Sequence, residues 1–305
     1  MKILITGATG FIGQHLMLMF RDISPYAEVL TLNRSVQKAH QMYPQNDYPF
    51  VNHTYINDWS QVSLFDPELV IHLAALSTSN NNTEVIKPLI STNITYGVLL
   101  LNALSHCQSL KLFVNTGSFS EYRLGTSECN SAYLYAATKT AFRSFLNYYS
   151  ELYRFKYIMA IPYSVYGGQP TIKRLMDYIL ESIDALKPVD MTLGEQVLDF
   201  IHVNDVASFF MHVIQNVDMY QRLRNREEFH LGTGIGITIR ELTSVVESVT
   251  GKHCNINWGG LPYRERDTMY AVAPIAKNLE LTGWHANIDI KQGVLSYIKN
   301  TINHE

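Results

Sequence analysis

Residues 1–20 read MKILITGATGFIGQHLMLMF, and this stretch decides the fold. Lys2 to Thr6 is an apolar run of strand length, Gly7, Gly10 and Gly13 punctuate a turn, and Phe11, Ile12, Leu16 and Phe20 recur on one helical stripe. A strand that turns through glycines into a helix brings backbone N–H groups to a helix N-terminus, where the peptide dipoles favour negative charge. The spacing GxxGxxG is a variant of the GxGxxG fingerprint, in which glycine lets a dinucleotide pyrophosphate approach without a Cβ in the way. The competing reading is an ordinary glycine-rich corner, and the position at the very start of the chain weighs against it.

Working outward, runs of strand length recur at Glu28 to Leu32, Val51 to Ile56, Leu69 to Leu73, Leu110 to Asn115 and Tyr157 to Pro162. Between them lie segments with helical spacing, one a long stripe through Val85, Leu89, Ile90, Val98, Leu101 and Leu104. Strand alternating with helix is the pattern of an α/β fold with a doubly wound parallel sheet of Rossmann type. After Tyr166 the texture changes: Gly167, Gly168 and Pro170 precede an expected basic amphipathic helix from about Thr171 to Leu186. Glu228 to Leu231 reads as a further strand and Ile239 to Val249 as a further helix. The expected organisation is a dinucleotide-binding domain over 1–166, with about 203–232 returning to it, and a smaller C-terminal α/β substrate domain over 167–305.

Composition narrows the partners. The chain has 305 residues, 47% of them hydrophobic, and a formal net charge of -3 without a block of like charges, which argues against a nucleic-acid or membrane-surface partner. Cys107, Cys129 and Cys254 form no CxxC pair, and the eleven histidines form no HxH or HExxH group, so neither a disulfide framework nor a metal site is expected. No apolar stretch reaches the ~20 residues of a membrane helix, and the glycine turn follows Met1 too closely for a signal peptide. The expected partner is a small molecule and the expected location is the cytoplasm.

Two further groups carry chemistry. The strand Glu28 to Leu32 ends in Asn33 and Arg34, where an NAD site would place an acid on the ribose 2′-hydroxyl. A guanidinium matches the 2′-phosphate of NADP in charge and geometry, so Arg34, helped by Asn33, reads as an NADP selector; the alternative is a solvated arginine at a strand end. Tyr135 and Lys139, in Tyr-Ala-Ala-Thr-Lys, stand at i and i+4 of a helical segment. The ammonium could then favour the phenolate and bring an acid/base group of ordinary pKa ~10 into use. Ser118 follows the strand Leu112 to Thr116, where its hydroxyl could bond a substrate oxygen as charge develops. Asn93 is polar within an apolar stretch and, taken alone, reads as a satisfied buried amide. His72 and His202 read as packing residues.

Together these residues resemble the extended short-chain dehydrogenase/reductase family over almost the whole chain. The likeness rests on Gly7 to Gly13, Asn57-Asp58, His72 to Ala75, Asn93, Ser118, Tyr135 with Lys139, Val165-Tyr166-Gly167, Asp199 to Val203, Asp205-Val206 and Gly283-Trp284. It implies a Ser/Tyr/Lys catalytic set with Asn93 supporting a water-mediated proton relay. It also implies a cofactor site of Gly7, Thr9, Gly10, Phe11, Ile12, Gly13, Asn33, Arg34, Asp58, Trp59, Leu73, Ala74, Ala75, Lys139, Pro162 and Val165. Substrate contacts would come from Ser77, Ser118, Tyr135, Tyr166, Gln196 and Arg266. Nucleotide sugars are the commonest substrates of the family, and many members are homodimers built on the long helices. A closer likeness, through Val85 to Leu89, Gly194-Glu195-Gln196, Gly232-Thr233-Gly234 and Arg266-Asp267, is to CDP-sugar 4-keto reductases of the abequose and paratose synthase kind.

The departures are as informative. Dehydratases of the family carry an Asp-Glu pair after the catalytic hydroxyl residue, because elimination needs a further acid and base; here Phe119 and Ser120 follow Ser118. Arginines usual in the family are replaced by Ile161 and Leu198. If the latter normally serves a substrate diphosphate, Arg266 is the expected substitute, with Arg264, Lys173 and Arg174 as reserves better read as solvated surface cations. The resulting expectation is NADPH-dependent reduction of a nucleoside-diphosphate-4-keto-6-deoxyhexose. An NAD-recycling epimerase and a non-catalytic dinucleotide sensor are the rivals.

Overall fold

Each apolar run of the first half forms a strand in the computed structural model, which describes residues 1–21, 27–168 and 172–302. The first half reads β1 (Lys2–Thr6), α1 (Phe11–Arg21), β2 (Glu28–Asn33), α2 (Val36–Met42), β3 (Val51–Tyr55), α3 (Trp59–Phe65), β4 (Leu69–His72), α4 (Thr83–Ile90), α5 (Tyr96–Leu104), β5 (Leu112–Thr116), α6 (Leu134–Tyr153) and β6 (Lys156–Pro162). The second half continues with β7 (Ser164–Tyr166), α7 (Leu175–Ile183), β8 (Val189–Met191), β9 (Val197–His202), α8 (Val203–Gln215), α9 (Val217–Arg222), β10 (Glu227–Leu231), β11 (Gly236–Thr238), α10 (Ile239–Thr250), β12 (Ile256–Trp258), β13 (Tyr270–Ala271), α11 (Ala276–Thr282) and α12 (Ile290–Ile302).

Seven parallel strands form the main sheet in the order β3-β2-β1-β4-β5-β6-β10. The order reverses between β1 and β4, and in such sheets the crevice at the carboxyl ends of the reversing strands is where ligands bind. The strands are apolar on both faces because helices cover both. Ile3 and Ile5 face one core with Leu16, Phe20, Phe209 and Phe210 of α1 and α8; Leu4 faces the other with Leu100, Leu101, Phe142 and Leu146 of α5 and α6. Each such fully buried side chain contributes about 1.5–3 kcal/mol. Two smaller sheets stand beyond the carboxyl ends: β9 pairs with β7, β11 and β13, and β8 pairs with β12. They rest on a third core that includes Met176, Ile179, Leu242, Val246 and Val294.

Two elements differ from the sequence reading. The long stripe is not one helix, because Ser91–Thr95 between α4 and α5 forms a π-helical turn. That wider turn breaks the 3.6-residue phase between α4 and α5, and it buries Asn93 within it. The expected basic helix is shorter and not basic: Thr171 lies outside the described residues, Lys173 and Arg174 precede α7, and α7 itself holds Asp177 and Glu181 but no cation. Among the described residues no helix is long and apolar enough to cross a membrane.

Candidate active site

The glycine turn lies at the reversal of strand order. Gly7 has φ +76°, a conformation costly for any residue with a side chain, and a Cβ there would stand 2.7 Å from the backbone nitrogen of Ala74. Leu73 and Ala74 are fixed against β1 by Thr6: the Leu73 N–H donates to the Thr6 carbonyl at 3.1 Å and the Ala74 N–H to Thr6 Oγ1 at 3.2 Å. Gly10 closes the turn with an N–H bond to the Gly7 carbonyl at 2.9 Å and is itself exposed, so its bare face opens to the crevice. Gly13, one turn into α1, has no room for a side chain, since a Cβ would lie 2.7 Å from Ala8 Cα. This cradle, which a Cβ would fill, fits a dinucleotide pyrophosphate at the start of α1. Thr9, Phe11 and Ile12 complete the turn.

At the end of β2, Arg34 is exposed and makes no hydrogen bond or ion pair among the described residues, leaving its guanidinium available. Asn33 does not serve as its helper. It is buried, and its amide nitrogen is spent on the Thr31 carbonyl at 2.9 Å and on Thr31 Oγ1 at 2.7 Å. Asp58 caps α3: its carboxylate accepts from Ser60 at 2.7 Å, Thr54 at 2.9 Å and the Gln61 N–H at 3.3 Å, and these bonds hold its pKa below the usual carboxylate range. Trp59 stacks at a tilt on Tyr96 with ring centroids 5.7 Å apart. Pro162 is buried at the end of β6, and Val165 is half-buried in β7. His72 behaves as a packing residue, its Nδ1 2.8 Å from Thr6 Oγ1 and its pKa lowered to about 3 by burial and by Lys139.

The candidate catalytic residues converge from two elements. Ser118 caps the short turn Phe119–Glu121 that follows β5, and its oxygen accepts the Ser120 N–H at 3.3 Å and lies 2.8 Å from Ser120 Oγ. Tyr135 enters from the first turn of α6, and the hydroxyls of Ser77 and Ser118 lie close enough to ease its ionisation. Burial, reinforced by the Glu121 carboxylate, nevertheless pushes the phenol up to about 12. Burial thus outweighs the groups that favour the phenolate. The cation acting on Tyr135 is Arg174, whereas Lys139 donates to the Thr116 carbonyl at 2.9 Å. Burial lowers Lys139 to about 8, against an opposing pull from Glu121.

Asn93 is a clamp. From the π-helical turn its Oδ1 accepts the Leu76 N–H at 2.8 Å, and its Nδ2 donates to the Leu76 carbonyl at 3.0 Å and to Thr138 Oγ1 at 2.9 Å. Its side chain thus ties the loop bearing Ser77 to the helix bearing Tyr135 and Lys139. That spends the amide on positioning.

The substrate side is rearranged most. Ile161 and Leu198, which replace the family's arginines, lie in apolar cores. Arg266 is exposed and bound to the loop before α6, through the Ser131 carbonyl at 2.8 Å and Asn130 Oδ1 at 3.0 Å. Next to it, Tyr133 donates to Asp267 at 2.7 Å, so the 264–267 loop grips the root of the catalytic helix. Arg174, set aside as a surface cation, is half-buried with its guanidinium over the Phe11 ring, 4.5 Å from the centroid. It therefore bridges the glycine turn and the Tyr135 side of the crevice. Tyr166 is turned away from any substrate: it is 3% exposed, packs edge-on to His202, and lies so close to Gly293 that a Cβ there would collide with its hydroxyl. Tyr163 is buried too, stacked on Phe119 with centroids 5.6 Å apart. Gln196 is buried at the end of the 192–196 loop, its side-chain Oε1 accepting from the Thr192 hydroxyl at 3.2 Å.

Sequence reasoning missed Glu121 and Arg143, which pair at 2.8 Å directly behind this group. The signals were present: Glu121 stands three residues after Ser118 in capping-box spacing, and Arg143 one helical turn after Lys139.

A doubly wound sheet with a glycine cradle at its switch point and a Ser/Tyr/Lys group beside it defines a dinucleotide-dependent oxidoreductase class. The sequence matches the NAD dependent epimerase/dehydratase family over residues 3–227, and the chain belongs to that family. It is 25% identical to CDP-abequose synthase of Salmonella typhimurium over 97% of both chains, and 24% identical to CDP-abequose synthase of Yersinia pseudotuberculosis over 98% of this chain and all of that one. A UDP-glucose 4-epimerase of Mycolicibacterium smegmatis is 24% identical over 98% of both. Among solved structures, the UDP-glucuronic acid 4-epimerase of Bacillus cereus, with UDP-glucuronic acid and NAD, superposes with a TM-score of 0.85 at 20% identity over the full length of both chains.

Proposed function

We propose that this chain is an NADPH-dependent reductase of a nucleoside-diphosphate-4-keto-6-deoxyhexose, CDP-linked in preference to dTDP-linked, yielding the 4-hydroxy sugar. The observation that carries the reading is the group of Tyr135 with the Ser77 and Ser118 hydroxyls in a chain similar over its whole length to CDP-abequose synthases; burial, which raises the phenol, favours its acid form. Ketone reduction consumes a proton, so its catalyst must arrive as the acid; epimerisation begins by removing a hydroxyl proton, for which the phenolate is needed. When bound, the reduced nicotinamide supplies the hydride to the carbonyl carbon. Tyr135 gives its proton to the carbonyl oxygen as the C=O π pair becomes the new O–H bond. Ser118, whose oxygen accepts the Ser120 N–H and lies 2.8 Å from Ser120 Oγ, turns its hydroxyl proton to that oxygen, with Ser77 beside it. Lys139 would hold the nicotinamide ribose, as the family likeness implies.

Other features support the same reading. Phe119 and Ser120 are engaged with Tyr163 and Ser118, and supply no acid pair for elimination. The available Arg34 favours NADP over NAD. The full-length similarity to CDP-abequose synthases favours a CDP-linked sugar. Arg174 is the cation we assign to the substrate phosphates in place of Leu198. The outer faces of α4, α5 and α6 leave Ile86, Leu99, Phe145 and Tyr148 exposed, the surface on which we place a homodimer.

The test is NADPH oxidation, followed by absorbance, with CDP- and dTDP-4-keto-6-deoxyglucose each generated by its own dehydratase. Stoichiometric oxidation with the CDP sugar is the expected result. Oxidation only with the dTDP sugar would correct the nucleotide, and none with either, together with NAD carried through purification, would replace the reductase by an epimerase.

A further inference from the structure

Behind the catalytic group lies a carboxylate that the reaction does not consume. Glu121 is 0% exposed, yet accepts the Ser118 N–H at 2.9 Å, Thr140 Oγ1 at 3.1 Å and Arg143 Nε at 2.8 Å. Gly117 makes room for it: a Cβ there would stand 2.7 Å from Glu121 Oε1. Arg143 in turn pairs with Glu228 of β10, which accepts the Tyr122 hydroxyl. An ion pair buried this deeply costs desolvation, and apolar residues could fill the same space at least as stably, so packing alone does not call for it.

We propose that Glu121 is a positioning residue for the active site: its carboxylate, locked on Arg143, fixes the Ser118 turn to the helix bearing Tyr135 and Lys139 and sets the balance of charge those two residues feel. One bond goes to the backbone of Ser118 and one to the helix a turn beyond Lys139, so the carboxylate joins the two elements whose alignment sets the distance between Ser118 and Tyr135. It also faces Tyr135 and Lys139 as a negative charge, while Arg143 faces Lys139 as a positive one. A phenol kept protonated is what reduction requires, so this part of the inference rests on the proposed reductase reading; the geometry does not.

The remaining groups around the pair leave a clean readout. His72 on β4 and His230 on β10 are driven to about 3 and about 4 by burial, and Tyr122 and Cys129 are pushed up by burial. The other side chains that face the pair are Glu228, which pairs with Arg143, and, toward Tyr135, Arg174. Of these neighbours only Lys139, at about 8, changes charge between about pH 7 and 9.

The experiment titrates Lys139 in the whole cofactor-free protein by NMR of ¹³C-labelled lysine, with the signal assigned from its loss in Lys139→Met. Glu121→Gln should lower the Lys139 midpoint by about one pH unit, and Arg143→Gln should raise it by a similar amount. The double variant should return near the wild-type midpoint. Opposite shifts are what a charge-setting pair gives; equal shifts, shifts of the same sign, or a wild-type midpoint near the ordinary lysine value would overturn the proposal. If Glu121→Gln does not fold, the Arg143→Gln and double-variant midpoints decide alone. No substrate enters this measurement, so failure of the reductase assay and failure of the Glu121 proposal are separate results.

Discussion

The glycine turn between β1 and α1 works through its backbone, and the opposite side of the crevice works through side chains. Gly7, Gly10 and Gly13 act by lacking a Cβ, and their positions follow from the path of β1 into α1. Across the crevice, positions 161 and 198 are apolar core, Arg266 is held by loop carbonyls, and Arg174 reaches in over Phe11 from outside the helix expected to carry it. The backbone requirement is local and tolerates few solutions. A charge can be supplied from any element that reaches the space, so the same need is met from a different address.

Five substitutions test that contrast. Tyr135→Phe should lower kcat by about 10²–10⁴-fold while NADPH binding, followed by fluorescence, stays nearly intact, because only the proton donor is removed. Retained turnover would move the acid elsewhere in the crevice. Next, Gly13→Ala should cost about 2–3 kcal/mol in urea unfolding, since the new methyl meets backbone that cannot yield. A neutral result would mean that α1 can back away from β1 and that the cradle is not rigid. Arg34→Ala should weaken NADPH binding by about 2 kcal/mol and leave NADH binding within twofold; equal losses would deny Arg34 the 2′-phosphate. The smallest expected effect separates two cations on the substrate side. Arg174→Ala should raise the KM for the sugar nucleotide about tenfold, or ~1.4 kcal/mol, whereas Arg266→Ala should stay within about threefold because an exposed cation contributes little. The reverse ranking would restore the assignment that position in the sequence suggests.

What could be read from the sequence follows the same division. The order of strands and helices was legible because a sheet buried on both faces writes itself as continuous apolar runs, and the Ser/Tyr/Lys set because its members stand at strand ends and on one helix face. The π-helical turn was not, since Ser91–Thr95 reads as ordinary helix. Neither was the pairing of Glu121 with Arg143, or of Arg174 with Phe11, because each joins residues far apart in sequence through a fold that has to exist first. The burial of Tyr135 was hidden for a related reason: i and i+4 spacing brings Lys139 to the right face, but not the Thr116 carbonyl that Lys139 bonds or the Glu121 carboxylate that acts on the phenol.

The main sheet is completed late. Its edge strand β10 and the helix α8 that packs on α1 are made only after the chain has left to begin the smaller sheets, and the chain leaves again afterwards. The halves are therefore not consecutive cassettes. A single crossover between two relatives near Tyr166 would give one parent's β6 the other parent's β10 as neighbour, and one parent's α1 the other's α8. Paired exchanges of 167–202 and 232–302 that leave 203–231 in place keep α7, α10 and α12 of the third core within one parent, so the order in which the chain visits the sheet limits how members of this family can be recombined.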